Sequence, residues 1–267
     1  MPGNQPRPTL DAILAVTRAR IATLRASATE LERRAASAPP VRLFQEPTPD
    51  VGLIAEVKRR SPSQGAIRTD LDPVAHAQAY VRGGAVAVSV LTDEAHFGGS
   101  LQDLERVAAA VHVPVLRKDF ILDELQIMEA RAAGASAVLL IVRVLTDRLG
   151  VLAQAARKWR LQTLIEIHTL AELEPALVAA PDAIGVNARD LSTFEVDLRQ
   201  AQTVIARVPG DVAVVAESGV ENRADVERLA AAGADFVLVG TSVARQEDPE
   251  TAVRALAGVK RQTGIRS

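Results

Sequence analysis

The feature that most constrains this chain is an alternation repeated eight times. Short runs rich in β-branched residues stand at Leu53–Val57, Val86–Leu91, Val113–Leu116, Ala137–Leu145, Thr163–Ile167, Ala183–Val186, Val212–Val215 and Phe236–Val239. Between them lie Ala-rich, charged stretches of helical period, such as Leu101–Ala110, Glu124–Ala132 and Ala224–Ala232. Eight strand-then-helix units predict a closed parallel barrel, the (β/α)8 or TIM-barrel class of α/β folds. A weak internal repeat agrees. Arg82-Gly83-Gly84-Ala85, Ala132-Ala133-Gly134-Ala135 and Ala231-Ala232-Gly233-Ala234 each sit between a helix and the next strand, where Gly ends the helix in a left-handed turn. A doubly wound open sheet is the rival, and the absence of G-x-G-x-x-G after the first run counts against its dinucleotide-binding form.

The length of 267 residues suits one such barrel, which commonly runs about 250 residues. Only 3% of the residues are aromatic while 48% are hydrophobic, so Val, Ile, Leu and Ala must pack a buried parallel sheet. With no Cys, a disulfide framework, a thiol nucleophile and a thiolate metal site are excluded. A net charge of −2 gives no reason to expect nucleic acid or a basic membrane patch. No apolar run approaches the roughly 20 residues of a membrane helix, and no signal-peptide pattern opens the chain. A soluble cytoplasmic protein is expected. Ahead of the first strand, Leu10, Ile13, Leu14, Ile21, Leu24 and Leu31 have helical spacing, and Pro39-Pro40 ends that unit. Residues 1–50 therefore read as an N-terminal helical extension, placed to act as a lid over one end. Residues 51–267 read as the barrel, the whole forming one structural domain whose last helix ends near Lys260.

In such a barrel the chemistry collects at the C-terminal ends of the strands. Period-two alternation puts Ile54, Glu56 and Lys58 on one face of the first strand, and Leu116, Lys118 and Phe120 on one face of the third. The fifth strand likewise aligns Leu164, Glu166 and His168, and the sixth Gly185, Asn187 and Arg189. The seventh ends Ala216-Glu217-Ser218-Gly219. One such residue is ordinarily a strand-end salt bridge. Two lysines, three glutamates and an asparagine on five strands argue for a site, because burying charge is costly.

A phosphate site has its own signals. Ser218-Gly219 closes strand seven and Gly240-Thr241 closes strand eight, and small residues there let backbone N–H groups approach an anion. The segment after strand eight, Thr241–Arg245, is predicted to begin a short helix, and Ser61 lies across the closure. The histidines His76, His96, His112 and His168 are scattered without H-E-x-x-H spacing, so no metal is expected. His168 reads as a rim residue, and no G-x-S-x-G elbow exists.

These segments resemble the indole-3-glycerol-phosphate synthase family. The resemblance is carried by Leu53–Lys58 with Ser61-Pro62-Ser63, Leu91–Glu94, Val115–Phe120, Leu164–His168, Ile184–Leu191 and Val215–Val220. It runs in the family's order over nearly the whole chain. It implies conversion of 1-(2-carboxyphenylamino)-1-deoxyribulose 5-phosphate to indole-3-glycerol phosphate with loss of CO2 and water. By analogy Lys118 protonates the ribulose carbonyl, while Lys58 holds the anthranilate carboxylate and serves as acid in dehydration. The resemblance makes Glu166 the general base, with Glu56 beside it positioning or exchanging protons. Asn187 and Arg189 orient ribulose hydroxyls together with Glu217. Ser61, Ser218, Gly219, Gly240 and Thr241 form the phosphate cradle, and Phe97, Phe120 and Leu139 the apolar walls. The sequence leaves open which lysine serves which step. Two lysines beside glutamates should have displaced, mutually dependent pKa values. No cofactor is implied, and the expected partner is a small phosphorylated substrate met by a monomer, with transient contacts to neighbouring pathway enzymes.

Three positions depart from the family pattern: Ala188 where Asn or Ser is frequent, Thr241 where Ser or Glu is frequent, and the loop His96-Phe97-Gly98-Gly99-Ser100, which is less aromatic. None removes a candidate catalytic residue. Other phosphosugar barrels do not need the Glu56, Lys58, Lys118 and Glu166 set, and a non-catalytic phosphate-binding barrel would be expected to lose part of it.

Overall fold

Eight parallel strands close into a ring in a computed structural model that describes residues 8–44 and 47–266. They are β1 (Gly52–Val57), β2 (Ala85–Leu91), β3 (Val115–Lys118), β4 (Ala137–Ile141), β5 (Gln162–Ile167), β6 (Ala183–Asn187), β7 (Ala213–Glu217) and β8 (Phe236–Val239). Closure is direct: Leu53 on β1 faces Val237 on β8 and Ala85 on β2. All six residues of β1 are buried, as expected for strands covered outside by helices and filled inside by side chains.

Most outer helices of the barrel start where a side chain satisfies their free N–H groups, Leu149–Lys158 and Leu173–Val178 being the exceptions. Helices α1 (Leu10–Leu24) and α2 (Ala28–Ser37) precede the barrel. Around it follow α3 (Pro73–Arg82), α4 (Leu101–Ala110), α5 (Glu124–Ala132), α6 (Leu149–Lys158), α7 (Leu173–Val178), α8 (Leu198–Ile205), α9 (Arg223–Ala231) and α10 (Pro249–Leu256). Asp72 caps α3 ahead of Pro73, Ser100 caps α4, and Asp123 with Gln126 forms a reciprocal capping box on α5. The repeated glycines do what their position predicted. Gly84, Gly134 and Gly233 have φ of 105°, 83° and 103°, a region that side chains with a Cβ rarely enter. Polar groups just ahead of later strands also fix the starts of earlier ones. Val115 N–H donates to Ser136 Oγ, Thr163 N–H to Asp182 and Val214 N–H to Asp235, at 3.1, 2.8 and 2.9 Å.

Some boundaries differ from the sequence expectation, for one physical reason. The run Ala137–Leu145 ends as strand at Ile141, paired with Glu166, and Val142–Leu145 forms a helical turn. Apolar residues continue across that switch, interrupted only by Arg143. Conversely, the third strand begins at Val115 and continues through Arg117 and Lys118, and the seventh continues to Glu217. Hydrophobicity stops at the polar rim while hydrogen bonding does not. The last helix stops at Leu256, and Lys260 instead bridges to Asp50.

The N-terminal extension is two helices joined by a 3₁₀ turn at Arg25–Ser27, and its helices are not a lid. They lie on the flank of the barrel against α5, with Arg20 paired to Glu129 at 2.5 Å and Arg34 to Glu105 on α4 at 2.7 Å. The segment that follows them covers an end. Phe44 N–H donates to Gln162 Oε1 at 2.6 Å, and Phe44 and Pro47 line a small cavity with Ala137, Ala183, Ala213 and Phe236 at the strand starts. That is the end opposite the polar rim. Residues 1–7, 45–46 and 267, which the expected boundaries include, lie outside the described residues. No helix among the described residues is long and apolar enough to cross a membrane.

Candidate active site

The C-terminal mouth of the barrel holds a cavity of about 600 Å³, and every site residue named from the sequence lines it. Its floor is a set of buried charges. Lys58 Nζ stands 2.8 Å from Glu56 Oε1, and Ser89 on β2 donates to Glu56 Oε2 at 3.2 Å. Lys118 Nζ stands 3.4 Å from Glu166 Oε2 and 3.5 Å from Glu217 Oε2. Four strands, β1, β3, β5 and β7, thus meet in one ionic cluster. Glu56, Glu166 and Glu217 are buried, and only opposite charge makes that tolerable.

Their mutual field sets their protonation. Burial opposes charge on Lys118, but Glu166, Glu217 and Glu56 outweigh it and hold the ammonium above its ordinary value. Burial likewise disfavours ionised Glu56, yet Lys58 and Lys118 lower its pKa. Glu217 goes the other way. Burial, reinforced by the neighbouring Glu166 and Glu56 charges against the pull of Lys118, pushes it up to about 8. The cluster therefore presents a firmly protonated amine and a neutral carboxyl at pH 7, beside ionised carboxylate. Glu166 Oε1 and Glu217 Oε1 are buried without a hydrogen-bond partner.

One edge of the cavity brings the backbone close to its open space at the ends of β7 and β8. Ser218 and Gly219 both have positive φ, 67° and 79°, so the chain turns sharply at the end of β7, and for Ser218 this conformation is strained. A Cβ on Gly240 would lie 2.8 Å from Glu56 Oε1 and 3.0 Å from Lys58 Nζ. Thr241–Ala244 is helical, as predicted, which directs its first N–H groups outward. Ser61 completes this edge from a short hairpin, Arg60–Ser61 with Gly65–Ala66. Opposite lies an apolar wall: the rings of Phe97 and Phe120 are 6.5 Å apart and tilted by 42°, with Leu139 beside them. Arg189 N–H donates to Asn187 Oδ1 at 3.0 Å, and the Arg189 guanidinium donates to Phe194 O at 2.8 Å.

This cavity, with backbone turns at one edge, an apolar wall at the other and ionisable groups between them, belongs to a chain that a known family model matches. The model of indole-3-glycerol phosphate synthase fits residues 10–256. The chain belongs to the indole-3-glycerol phosphate synthase family. It is 47% identical to the indole-3-glycerol phosphate synthase of Rhodopirellula baltica, over 92% of this chain and 98% of that one. It is 46% identical to the Mycolicibacterium smegmatis enzyme, over 92% and 93%. Membership makes the chain an enzyme, a carboxy-lyase of tryptophan biosynthesis. Solved structures agree on the barrel alone. A 3-hexulose-6-phosphate synthase superposes with a TM-score of 0.63 at 16% identity, covering 77% of this chain and 98% of that one. A thiamine phosphate pyrophosphorylase from Pyrococcus furiosus gives 0.59 at 18%, covering 77% and 93%.

Of the departures from the family pattern, Ala188 is buried outside the cavity, whereas Thr241 and Phe97 of the His96–Ser100 loop line it. One residue, Ser89, is not legible as a site residue in the sequence, and Gly185 is legible there only as a position on the inward face. Ser89 is buried in the middle of an apolar strand, and only the β1–β2 register, Glu56 against Ser89, brings its hydroxyl to the carboxylate. Gly185 matters by lacking a side chain: a Cβ there would lie 2.2 Å from Glu217 Oε1. A glycine inside a strand is the signal that points to such a close approach. His168, expected as a rim residue, is buried just past the end of β5, beside Glu166 and outside the cavity lining.

Proposed function

We propose that the chain closes the indole ring of 1-(2-carboxyphenylamino)-1-deoxyribulose 5-phosphate by lysine–glutamate acid–base catalysis. The observation that carries this reading is the placement of Lys118 between Glu166 and Glu217, across the cavity from the glycines that end β7 and β8. The phosphate lies against Ser61, Ser218, Gly219, Gly240 and Thr241. The aromatic ring lies against Phe97, Phe120 and Leu139, and Asn187 and Arg189 hold the hydroxyls.

Lys118 gives a proton to the ribulose carbonyl oxygen as the carboxyl-bearing ring carbon attacks the carbonyl carbon. The new C–C bond forms, and the carboxylate then leaves as CO2, returning its bonding pair to the ring. Lys58, which holds that carboxylate, protonates the departing hydroxyl so that it leaves as water. Glu166 takes the proton from the adjacent carbon, and the double bond of the indole forms. Glu56 keeps the lysines charged, Glu217 packs against Lys118 and positions it, and Ser218 holds the phosphate end. Two protons are given and one is taken, so one enters from solvent in each turnover. Each positioned acid or base contributes on the order of 10²–10⁴ in rate.

The test is to incubate the purified protein with the carboxyphenylamino-deoxyribulose phosphate and follow indole fluorescence. Turnover is expected. Folded protein that binds the compound without turning it over would leave a phosphate-binding barrel as the remaining reading.

A further inference from the structure

Beside Glu166, outside the cavity lining, stands a string of polar atoms that the proposed mechanism leaves unused. His168 Nε2 lies 3.5 Å from Glu166 Oε1, and His168 Nδ1 lies 3.7 Å from Glu172 Oε2. His168 is buried, and both its ring nitrogens and Glu166 Oε1 lack any hydrogen bond. Glu172 is itself held firmly. It accepts from the backbone N–H of His168 and Thr169 at 2.5 and 3.3 Å and pairs with Arg143 at 3.2 Å. Arg143, from the helical turn after β4, also donates to Asp190 at 2.8 Å. From α8, Gln200 donates to the His168 carbonyl at 3.1 Å and so anchors the backbone of the histidine.

Ionised carboxylates only accept hydrogen bonds. A neutral imidazole between two of them turns a lone pair toward one, which is repulsive in a buried setting. An imidazolium turns an N–H toward each. We propose that His168 is a positioning residue, an imidazolium clamped between Glu166 and Glu172 that fixes the orientation of the Glu166 carboxylate toward the substrate. It touches no substrate and acts through Glu166. Lys118 takes the other oxygen of the same carboxylate, so Glu166 is gripped at both ends before substrate arrives. The titration of the ring agrees. Burial and the Arg143 charge disfavour its cationic form, but Glu172 and Glu166 outweigh them and raise its pKa above 6.5.

This inference rests on the reading of Glu166 as the base, and its test separates the two. Ring ¹⁵N shifts of labelled protein are followed against pH, with His168 assigned by its loss in His168→Gln. In parallel, the pH profile of kcat is recorded for wild type, His168→Gln and Glu172→Gln. The expected result is a doubly protonated ring persisting above pH 6.5. The kcat of wild type should fall as the ring loses its proton, and His168→Gln should lack that limb. His168→Gln should also lose about tenfold or more in kcat with KM little changed, as a small misplacement of a reacting group does. Glu172→Gln, which keeps the ring, should move the ¹⁵N titration and the kcat limb together to lower pH, and it stands in should His168→Gln fail to fold. A neutral ring at pH 6.5 overturns the proposal. So does a variant whose kcat profile merely runs parallel to that of wild type. Undiminished turnover by Glu166→Gln would instead remove the base reading, while the ¹⁵N titration still reports whether the clamp exists.

Discussion

Gly185 on β6 and Glu217 on β7 are fitted to each other: the carboxylate occupies the space that any side chain at 185 would need. A Cβ there would lie 2.2 Å from Glu217 Oε1, and the strands are locked in register, with Asn187 opposite Glu217. The pair explains how a third carboxyl is packed beside Lys118 without widening the barrel.

Gly185→Ala should therefore push Glu217 out of place and loosen its 3.5 Å approach to Lys118. A loss of about ten- to 100-fold in kcat is expected from a displaced catalytic array. Overpacking should cost roughly 1–3 kcal/mol of stability. Steady-state kinetics and urea unfolding measure the two separately. Unchanged kcat would show that the position of Glu217 is immaterial.

Lys118→Ala should lower kcat by on the order of 10²–10⁴ or more while the fold persists. Affinity for inorganic phosphate, measured by titration calorimetry, should stay within about twofold, because the residues proposed to hold the anion lie at the ends of β7 and β8. Circular dichroism checks the fold. Loss of folding together with activity would favour a structural role for this lysine.

Glu217 predicts a pH dependence of stability with a definite sign. Its folded pKa, about 8, lies above its ordinary 4.5. Between those values the folded protein holds a proton that the unfolded chain releases, so stability falls as pH rises through this window. Glu217→Gln should flatten the melting temperature between pH 4.5 and pH 8 relative to wild type. A difference between the two that does not vary with pH would refute the assignment.

Arg117 tests the support beneath Lys118. It is fully buried, pairs with Asp119 at 2.9 Å and Glu129 at 2.8 Å, and donates to Thr92 and to the Gln126 carbonyl. Arg117→Ala leaves Asp119 buried without its ion-pair partner and should cost about 3–5 kcal/mol, read from urea midpoints. A loss below 1 kcal/mol would mean that the network contributes nothing beyond packing.

The fold was legible because a parallel barrel repeats one local pattern. Apolar β-branched runs, helices of 3.6-residue period and glycines at their junctions are all short-range signals, and α4 and α5 fall where that pattern put them. Strand ends were less legible where polarity and hydrogen bonding part company, as at Lys118, Glu217 and Ile141. By itself, then, the sequence determined the barrel and the members of its polar rim, since alternation along each strand chooses which side chains face inward.

Only the tertiary structure decided which of those members touch. Lys118 lies between carboxylates from strands 48 and 99 residues further along the chain. Ser89 reaches Glu56 only through strand register, and Gly185 matters through the atom it lacks. His168, on the same alternating face as Glu166, stands 3.5 Å from its carboxylate and outside the cavity lining. Distances and fields between distant segments, which set the protonation of Lys118 and Glu217, exist only after the ring has closed.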